Sequence, residues 1–307
     1  MASRMRRLLF RLGLAWLAWL LLTRERHPRF APPQTHPLRV PGRTVFVGDL
    51  EVFVREVGDP DAPPLLLLHG WGDHSLVVFH ELIPLLARHF RVIAPDLRNT
   101  GKTDAVRDPY ELADVADEIA GLIDVLRLAP VDVLGYSMGG MVTQELVRRH
   151  PHLVGRMVLA GTASTPPNVG GLARPLAPMV IALIRAGERL PRTVPTTGRT
   201  RWMMSLGAIR PEHQRWAWTQ HASRDPELYW EAGLAVGRWD SADWVGSLGR
   251  ETLVVINTRD EVVAPRAQYE LAARIPGASV AEIAGAFHAG PITHAERYAS
   301  AITDFLA

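Results

Sequence analysis

From Thr44 onward the apolar positions follow two alternating periods. Short runs rich in leucine or β-branched residues ("TVFVGDLEVFVREVG", "PPLLLLHG", "FRVIAPD") are separated by stretches with apolar residues three or four apart. The first run predicts a hairpin turning at Gly48-Asp49, and the next two predict buried strands ending near His69 and Pro95. Residues 76–89 and 110–128 carry the helical period. "VDVLGYS" then reads as a strand, "MGGMVTQELVRRH" as a helix and "RMVLAGT" as another strand. Strands alternating with helices predict an α/β fold with a mostly parallel sheet covered by helices on both faces.

The alternation stops over residues 164–249, which show no strand pattern but hold six of the nine tryptophans, at 202, 216, 218, 230, 239 and 244. It resumes with "ETLVVINT", a helix near 265–275, the strand "SVAEIAG" and a final helix from about 292 to 306. The pattern therefore predicts one core, residues 43–163 and 250–307, split by a helical cap at 164–249. Upstream, residues 1–29 form an arm with an apolar stretch from Leu12 to Leu22 between arginines, and residues 30–42 form a stiff Pro-rich linker. The apolar stretch falls short of the ~20 residues of a spanning helix, and no small-residue cleavage site follows it. Trp16 and Trp19 share one helical face, so the arm is read as an uncleaved helix lying in or on a membrane. The alternative is a helix packed on the core, and a cytoplasmic or secreted location stays open.

Charge sharpens this picture. The formal net charge is +2. Seven arginines and one glutamate in residues 1–29 give that arm +6 and leave −4 for the rest. A mildly acidic body argues against a nucleic-acid-binding surface, which needs clustered Lys and Arg on the folded domain. The absence of cysteine removes disulfides, thiolate metal sites and a cysteine nucleophile. No dinucleotide-type glycine motif and no His/Asp cluster stands out, so neither a cofactor nor a metal is expected.

The chemistry concentrates at "VDVLGYSMGGM", residues 131–141, where Ser137 stands between a strand and a helix with Gly135 and Gly139 two places to either side. G-x-S-x-G in that context is the pattern of a nucleophile elbow. A hydroxyl is a weak nucleophile and needs a base. Of the later histidines, only His288 and His294 follow a late strand. His288 comes directly after "AEIAGAF" and is the expected base, whereas His294 opens a helix and suits a surface role. The acid belongs after a strand between serine and histidine. Asp260 in "TLVVINTRD" fits, and spacing alone leaves its neighbour Glu261 open. No Asp or Glu occurs between Glu145 and Glu188, so the strand after the elbow helix supplies none. The backbone N–H groups of Met138 and of Trp71 in "HGWG" are the expected oxyanion donors. His69 reads as a structural brace for that loop, and Asp96 and Asp104 as turn residues.

The motifs "LLLLHGWG", "VIAPDLRNTGKTD", "LGYSMGG", "NTRDEVVAP" and "FHAG" resemble, in order and spacing over residues 43–307, the α/β-hydrolase fold family, in its proline-iminopeptidase, esterase and haloperoxidase-like group. One departure is Asn99-Thr100, where that group usually carries a Gly-His or similar pair. The resemblance implies a serine hydrolase acting on a carboxylic ester. Ser137 in place of aspartate argues against haloalkane dehalogenase and epoxide hydrolase chemistry. A cofactor-free perhydrolase or haloperoxidase, a C–C bond hydrolase, an amidase and a non-catalytic ligand-binding protein are the alternatives. The cap tryptophans and "LAPMVIALI" (176–184) point to a hydrophobic or lipid-like ester, and a membrane surface is the other expected partner.

Overall fold

Four consecutive leucines explain the architecture. In the computed structural model, which describes residues 30–165, 200–201, 203–205 and 207–307, Leu65 to Leu68 are completely buried on strand β3 (Pro64–Leu68). Side chains alternate across a strand. Leu66 and Leu68 therefore join one core and Leu65 and Leu67 the other. An unbroken apolar run is what a strand covered on both faces requires.

The remaining strands are β1 (Gly42–Val47), β2 (Leu50–Val57), β4 (Arg91–Pro95), β5 (Val131–Tyr136), β6 (Val154–Ala160), β7 (Thr252–Asn257) and β8 (Ser279–Ile283). They form one eight-stranded sheet in the order β1-β2-β4-β3-β5-β6-β7-β8. β1 and β2 make the expected hairpin, Val47 pairing with Leu50 across Gly48 at φ 58°. β2 also runs antiparallel to β4, and every later pairing is parallel. Consequently β3, β5, β6, β7 and β8 all end at the same edge, where sites form in such sheets.

One face is covered by α3 (Leu112–Leu126) and α4 (Met138–Arg149). The other is covered by α1 (Ser75–Phe79), α2 (Ile83–Leu86) and α9 (Ala295–Leu306). The helix expected over 76–89 is two short pieces. Pro84 has no N–H to give the carbonyl four residues back, so the helix breaks around His80–Leu82. The C-terminal helix likewise starts at Ala295, after a four-residue helix α8 (Gly290–Thr293). Between α9 and β7 in the sequence lie α7 (Pro265–Arg274) and β8.

The described part of the insertion between β6 and β7 contains α5 (Gln214–Ala222) and α6 (Pro226–Arg238). Asp225 caps α6, its carboxylate accepting from the Glu227 N–H at 2.9 Å, with Pro226 as the first helical residue. Trp218 and Trp239 are buried, so these two serve packing. Residues 30–36 run along this insertion. The Thr35 N–H donates to the Glu212 carbonyl at 2.8 Å, and Gln34 bonds both Pro211 and Arg215 at 3.0 Å. The basic arm and the apolar run 176–184 lie outside the described residues.

Candidate active site

β5 carries Ser137 to the sheet edge in a conformation most side chains avoid, φ 54° and ψ −120°. The turn is held by its neighbours. The Ser137 N–H donates to the Ala160 carbonyl at 2.9 Å, and the Ser137 carbonyl accepts from Gly140 at 2.9 Å. A Cβ on Gly139 would stand 2.1 Å from the Leu68 carbonyl oxygen, and one on Gly135 would stand 2.3 Å from Thr143 Oγ1. Only glycine lets the elbow helix α4 approach β3 and β5 this closely. The two glycines of the motif are thus demanded by packing around the serine.

His288 and Asp260 arrive from the ends of β8 and β7. His288 Nε2 lies 3.1 Å from Ser137 Oγ, and Nδ1 lies 2.8 Å from Asp260 Oδ2. Both residues are buried. Burial by itself would raise the Asp260 pKa. The His288 hydrogen bond and charge, with the N–H groups of Val263 and Val262 at 2.8 and 2.9 Å, overcome it and hold the carboxyl below its ordinary value. The arrangement can pass a proton from the Ser137 hydroxyl to His288 Nε2 while Asp260 holds the ring in one tautomer. Glu261, left open by spacing, accepts from the His288 backbone N–H at 3.0 Å and not from its ring. His294 bonds Thr293 Oγ1 at 2.8 Å.

Residues 63–295 match the family described as alpha/beta hydrolase fold. The chain belongs to that family. It is 29% identical over 262 residues to a pimeloyl-[acyl-carrier protein] methyl ester esterase of Neisseria meningitidis serogroup B, covering 80% of this chain and 94% of the relative. It is 30% identical over 260 residues to a poly(3-hydroxyalkanoate) depolymerase of Ectopseudomonas oleovorans, covering 81% of this chain and 86% of the relative. The crystal structure of a hydrolase from Pseudomonas aeruginosa PA01 shares the fold, with a TM-score of 0.76 at 24% identity over 87% of this chain and 98% of that one. At this coarse level the protein is a hydrolase of the α/β-hydrolase fold.

Within this α/β-hydrolase, the loop after β3 abuts the serine. A Cβ on Gly70 would lie 3.1 Å from Ser137 Cβ. Trp71, next in sequence, stacks on Tyr229 of α6 with ring centroids 4.7 Å apart and donates Nε1–H to the Tyr229 carbonyl at 2.7 Å. Met138 is the first residue of α4. His69 is fully buried. Its Nδ1–H donates to the Gly70 carbonyl at 2.9 Å, and Nε2 accepts from the Leu97 N–H at 2.9 Å. Burial pushes its pKa down to about 4, which fixes a neutral ring as the brace the sequence suggested. A cavity of about 270 Å³ beside this loop has Trp71, His74, Lys102, Arg224 and Tyr229 among its walls. Its walls, drawn from the core loops and the insertion, mix aromatic and charged side chains.

Asp96 holds the turn, its Oδ2 accepting from the Lys102 N–H at 3.2 Å, and it is also a fully buried counter-ion: Oδ1 accepts from Arg55 Nη1 at 2.8 Å, from the Ser75 hydroxyl at 2.6 Å and from the Ser75 N–H at 3.1 Å. Asp104 ties its loop to β2 through the Glu51 N–H at 2.9 Å. Asn99 adopts φ 62° and bonds Val106 twice, while Thr100 Oγ1 reaches His69 Nε2 at 3.1 Å.

Sequence reasoning missed the residues that hold Asp260 and His288. Gln268 Nε2 donates to Asp260 Oδ2 at 3.0 Å, and Gln268 Oε1 accepts from the Asn257 N–H at 3.0 Å. The Tyr298 hydroxyl donates to Asn257 Oδ1 at 2.6 Å, and the Tyr136 hydroxyl donates to the His288 carbonyl. The one sequence signal was polarity out of place, a glutamine on the inward face of α7 and an asparagine ending an apolar strand.

Proposed function

We propose that the protein is a serine hydrolase that cleaves a carboxylic ester through an acyl-enzyme on Ser137. The observation that carries this reading is the hydrogen-bonded line from Ser137 through His288 to Asp260 at one sheet edge. Ser137 Oγ attacks the ester carbonyl as His288 Nε2 accepts its proton, and the tetrahedral oxyanion takes the backbone N–H groups of Trp71 and Met138. His288 returns the proton to the leaving alcohol, and water then repeats the cycle on the acyl-enzyme. No cofactor takes part. The names of the relatives, a methyl ester esterase and a polyester depolymerase, support ester cleavage.

Residues 164–249 act as a cap that selects a hydrophobic or lipid-like ester. Trp71, Tyr229 and Trp230 support this as an aromatic group beside the elbow, Trp71 and Trp230 having ring centroids 6.0 Å apart. Fluorophosphonate labelling, with a p-nitrophenyl ester series of increasing acyl length, tests both parts. The wild type should label once and prefer acyl chains longer than acetate. Ser137→Ala should lose the label and about 10⁶-fold in kcat. Labelling at another serine would overturn the assignment, and a preference for acetate would overturn the hydrophobic substrate.

The basic arm is proposed to hold the enzyme at an anionic membrane surface through arginine charge and Trp/Leu burial. No helix among the described residues is long and apolar enough to cross a membrane. Removing residues 1–29 should leave turnover of a soluble ester unchanged and sharply reduce co-sedimentation with anionic vesicles. Loss of folding on truncation would show that the arm packs on the core instead.

A further inference from the structure

Where the cap meets the core, His80 and Glu81 lie in the turn between α1 and α2, and His213 leads into α5. One ligand atom from each lies within 4.8 Å of the other two. None of the three bonds to Ser137, His288 or Asp260. More than 130 residues separate His80 from His213, so no local spacing marks the cluster.

The chemistry of the three side chains is suited to a metal. His80 donates Nδ1–H to the Val77 carbonyl at 3.1 Å, which leaves the Nε2 lone pair facing outward from that bond. A ring nitrogen tied to a backbone carbonyl is the usual support for a metal-binding imidazole. His80 Nε2 lies 3.5 Å from Glu81 Oε1. Bonds of about 2.1 Å in a tetrahedral zinc site separate neighbouring ligand atoms by about 3.4 Å. His213 is buried, and its Nδ1 has no hydrogen-bond partner. A buried ring nitrogen without a partner calls for one, and a ring nitrogen of His213 is one of the three clustered ligand atoms.

Arg210 is the cation that Glu81 now meets, through Nε at 3.0 Å and through Nη2. Its side chain is 57% exposed. The Glu81 carboxylate is only 20% exposed, but the exposed guanidinium end is screened by salt and can swing into solvent.

We propose that His80, Glu81 and His213 form a divalent transition-metal site, with Zn²⁺ the best-matched ion, that clips the cap to the core. Two imidazoles and a carboxylate suit zinc and its neighbours, and water completes the shell. Mg²⁺ and Ca²⁺, which take oxygen ligands, do not match the two nitrogens. Because His80 and Glu81 belong to the core and His213 to the cap, the ion binds the assembled state and stabilises it.

The test uses untagged full-length protein stripped with a chelator, then titrated with ZnCl₂ by calorimetry and with CoCl₂ by visible absorption. The expected result is one saturable Zn²⁺ site per chain, Co²⁺ bands of tetrahedral intensity, and a rise in unfolding temperature with Zn²⁺. His80→Gln and His213→Gln should each weaken binding by about 100-fold or more, beyond the ~10–100-fold typical of outer-sphere changes. Arg210→Ala, an exposed change that keeps the fold, should tighten binding by releasing Glu81. Absence of saturable binding to the wild type overturns the proposal. So does affinity unchanged in a folded histidine variant, or weakened in Arg210→Ala.

Discussion

Asp260 and Glu261 are adjacent carboxylates with different geometry. Asp260 Oδ2 meets the His288 ring, while Glu261 meets the His288 main chain. Under the proposed mechanism only the first sets the tautomer. Asp260→Asn should lower kcat by about 10⁴-fold. Glu261→Gln should cost about tenfold or less, the loss expected when one charge-assisted hydrogen bond is weakened. Steady-state ester kinetics on the two variants separate the roles, and reversed effects would move the acid to Glu261. Asp96 matters for stability instead. Burial alone would raise its pKa. The charge of its neighbours prevails, and because burial keeps His74 neutral near pH 7, the permanent partner is the Arg55 guanidinium at 2.8 Å. The folded pKa lies below the ordinary 3.8. The pair's contribution is therefore complete above about pH 3.8 and is lost as pH falls through the lower, folded value. Asp96→Asn should cost about 3–5 kcal/mol at pH 7, because it leaves Arg55 buried without its counter-charge. Urea unfolding at pH 7 and at successively lower pH should show the gap to wild type closing only below about pH 3.8.

At the scale of elements, the elbow depends on how closely α4 lies against β3. Gly139→Ala places a methyl group against the Leu68 backbone oxygen, which cannot rotate away. The variant should lose about 3 kcal/mol of stability, at the upper end for overpacking. It should also lose ester turnover out of proportion to its folded fraction, since Ser137 moves with the helix. Thermal denaturation with active-site titration checks this, and a stable, fully active variant would show that the elbow has slack. The two-faced burial of β3 and the helical period of α3 were legible from spacing, because burial on a regular element repeats with its geometry. The break in 76–89 was harder to read. Its apolar spacing continues through Leu82, Ile83, Leu85 and Leu86, and only Pro84 signals the interruption.

Across the whole molecule, the cap is fastened to the core by contacts of unequal value. Asp73, one residue beyond the "HGWG" stretch, is buried; its Oδ1 accepts from His221 Nε2 at 2.8 Å and also from Arg224. Arg107 reaches Asp225 and Glu227 at 2.7 and 3.0 Å but stands in solvent. Asp73→Asn should destabilise the protein by about 3 kcal/mol and raise KM for bulky esters, since the loop beside Ser137 loses its anchor. Arg107→Ala should leave the unfolding temperature essentially unchanged. A calorimetric scan of the two variants distinguishes buried from exposed fastening, and equal losses would contradict it.

The strand–helix alternation and the position of the elbow are legible in the chain because they are written in local spacing: a period of two or 3.6 residues, or glycines at fixed offsets from a serine. The family, and with it the order Ser137, Asp260, His288, rests instead on the resemblance of whole motifs along the chain. Tertiary structure alone decided which neighbouring carboxylate faces the His288 ring, that Gln268, Asn257 and Tyr298 brace the pair, and that Asp96 is a buried counter-ion. It also decided that His80, Glu81 and His213 meet where the cap rests on the core. These contacts join residues tens to more than a hundred positions apart, or depend on which way a side chain turns. The three-dimensional path of the chain sets both, and no periodicity records them.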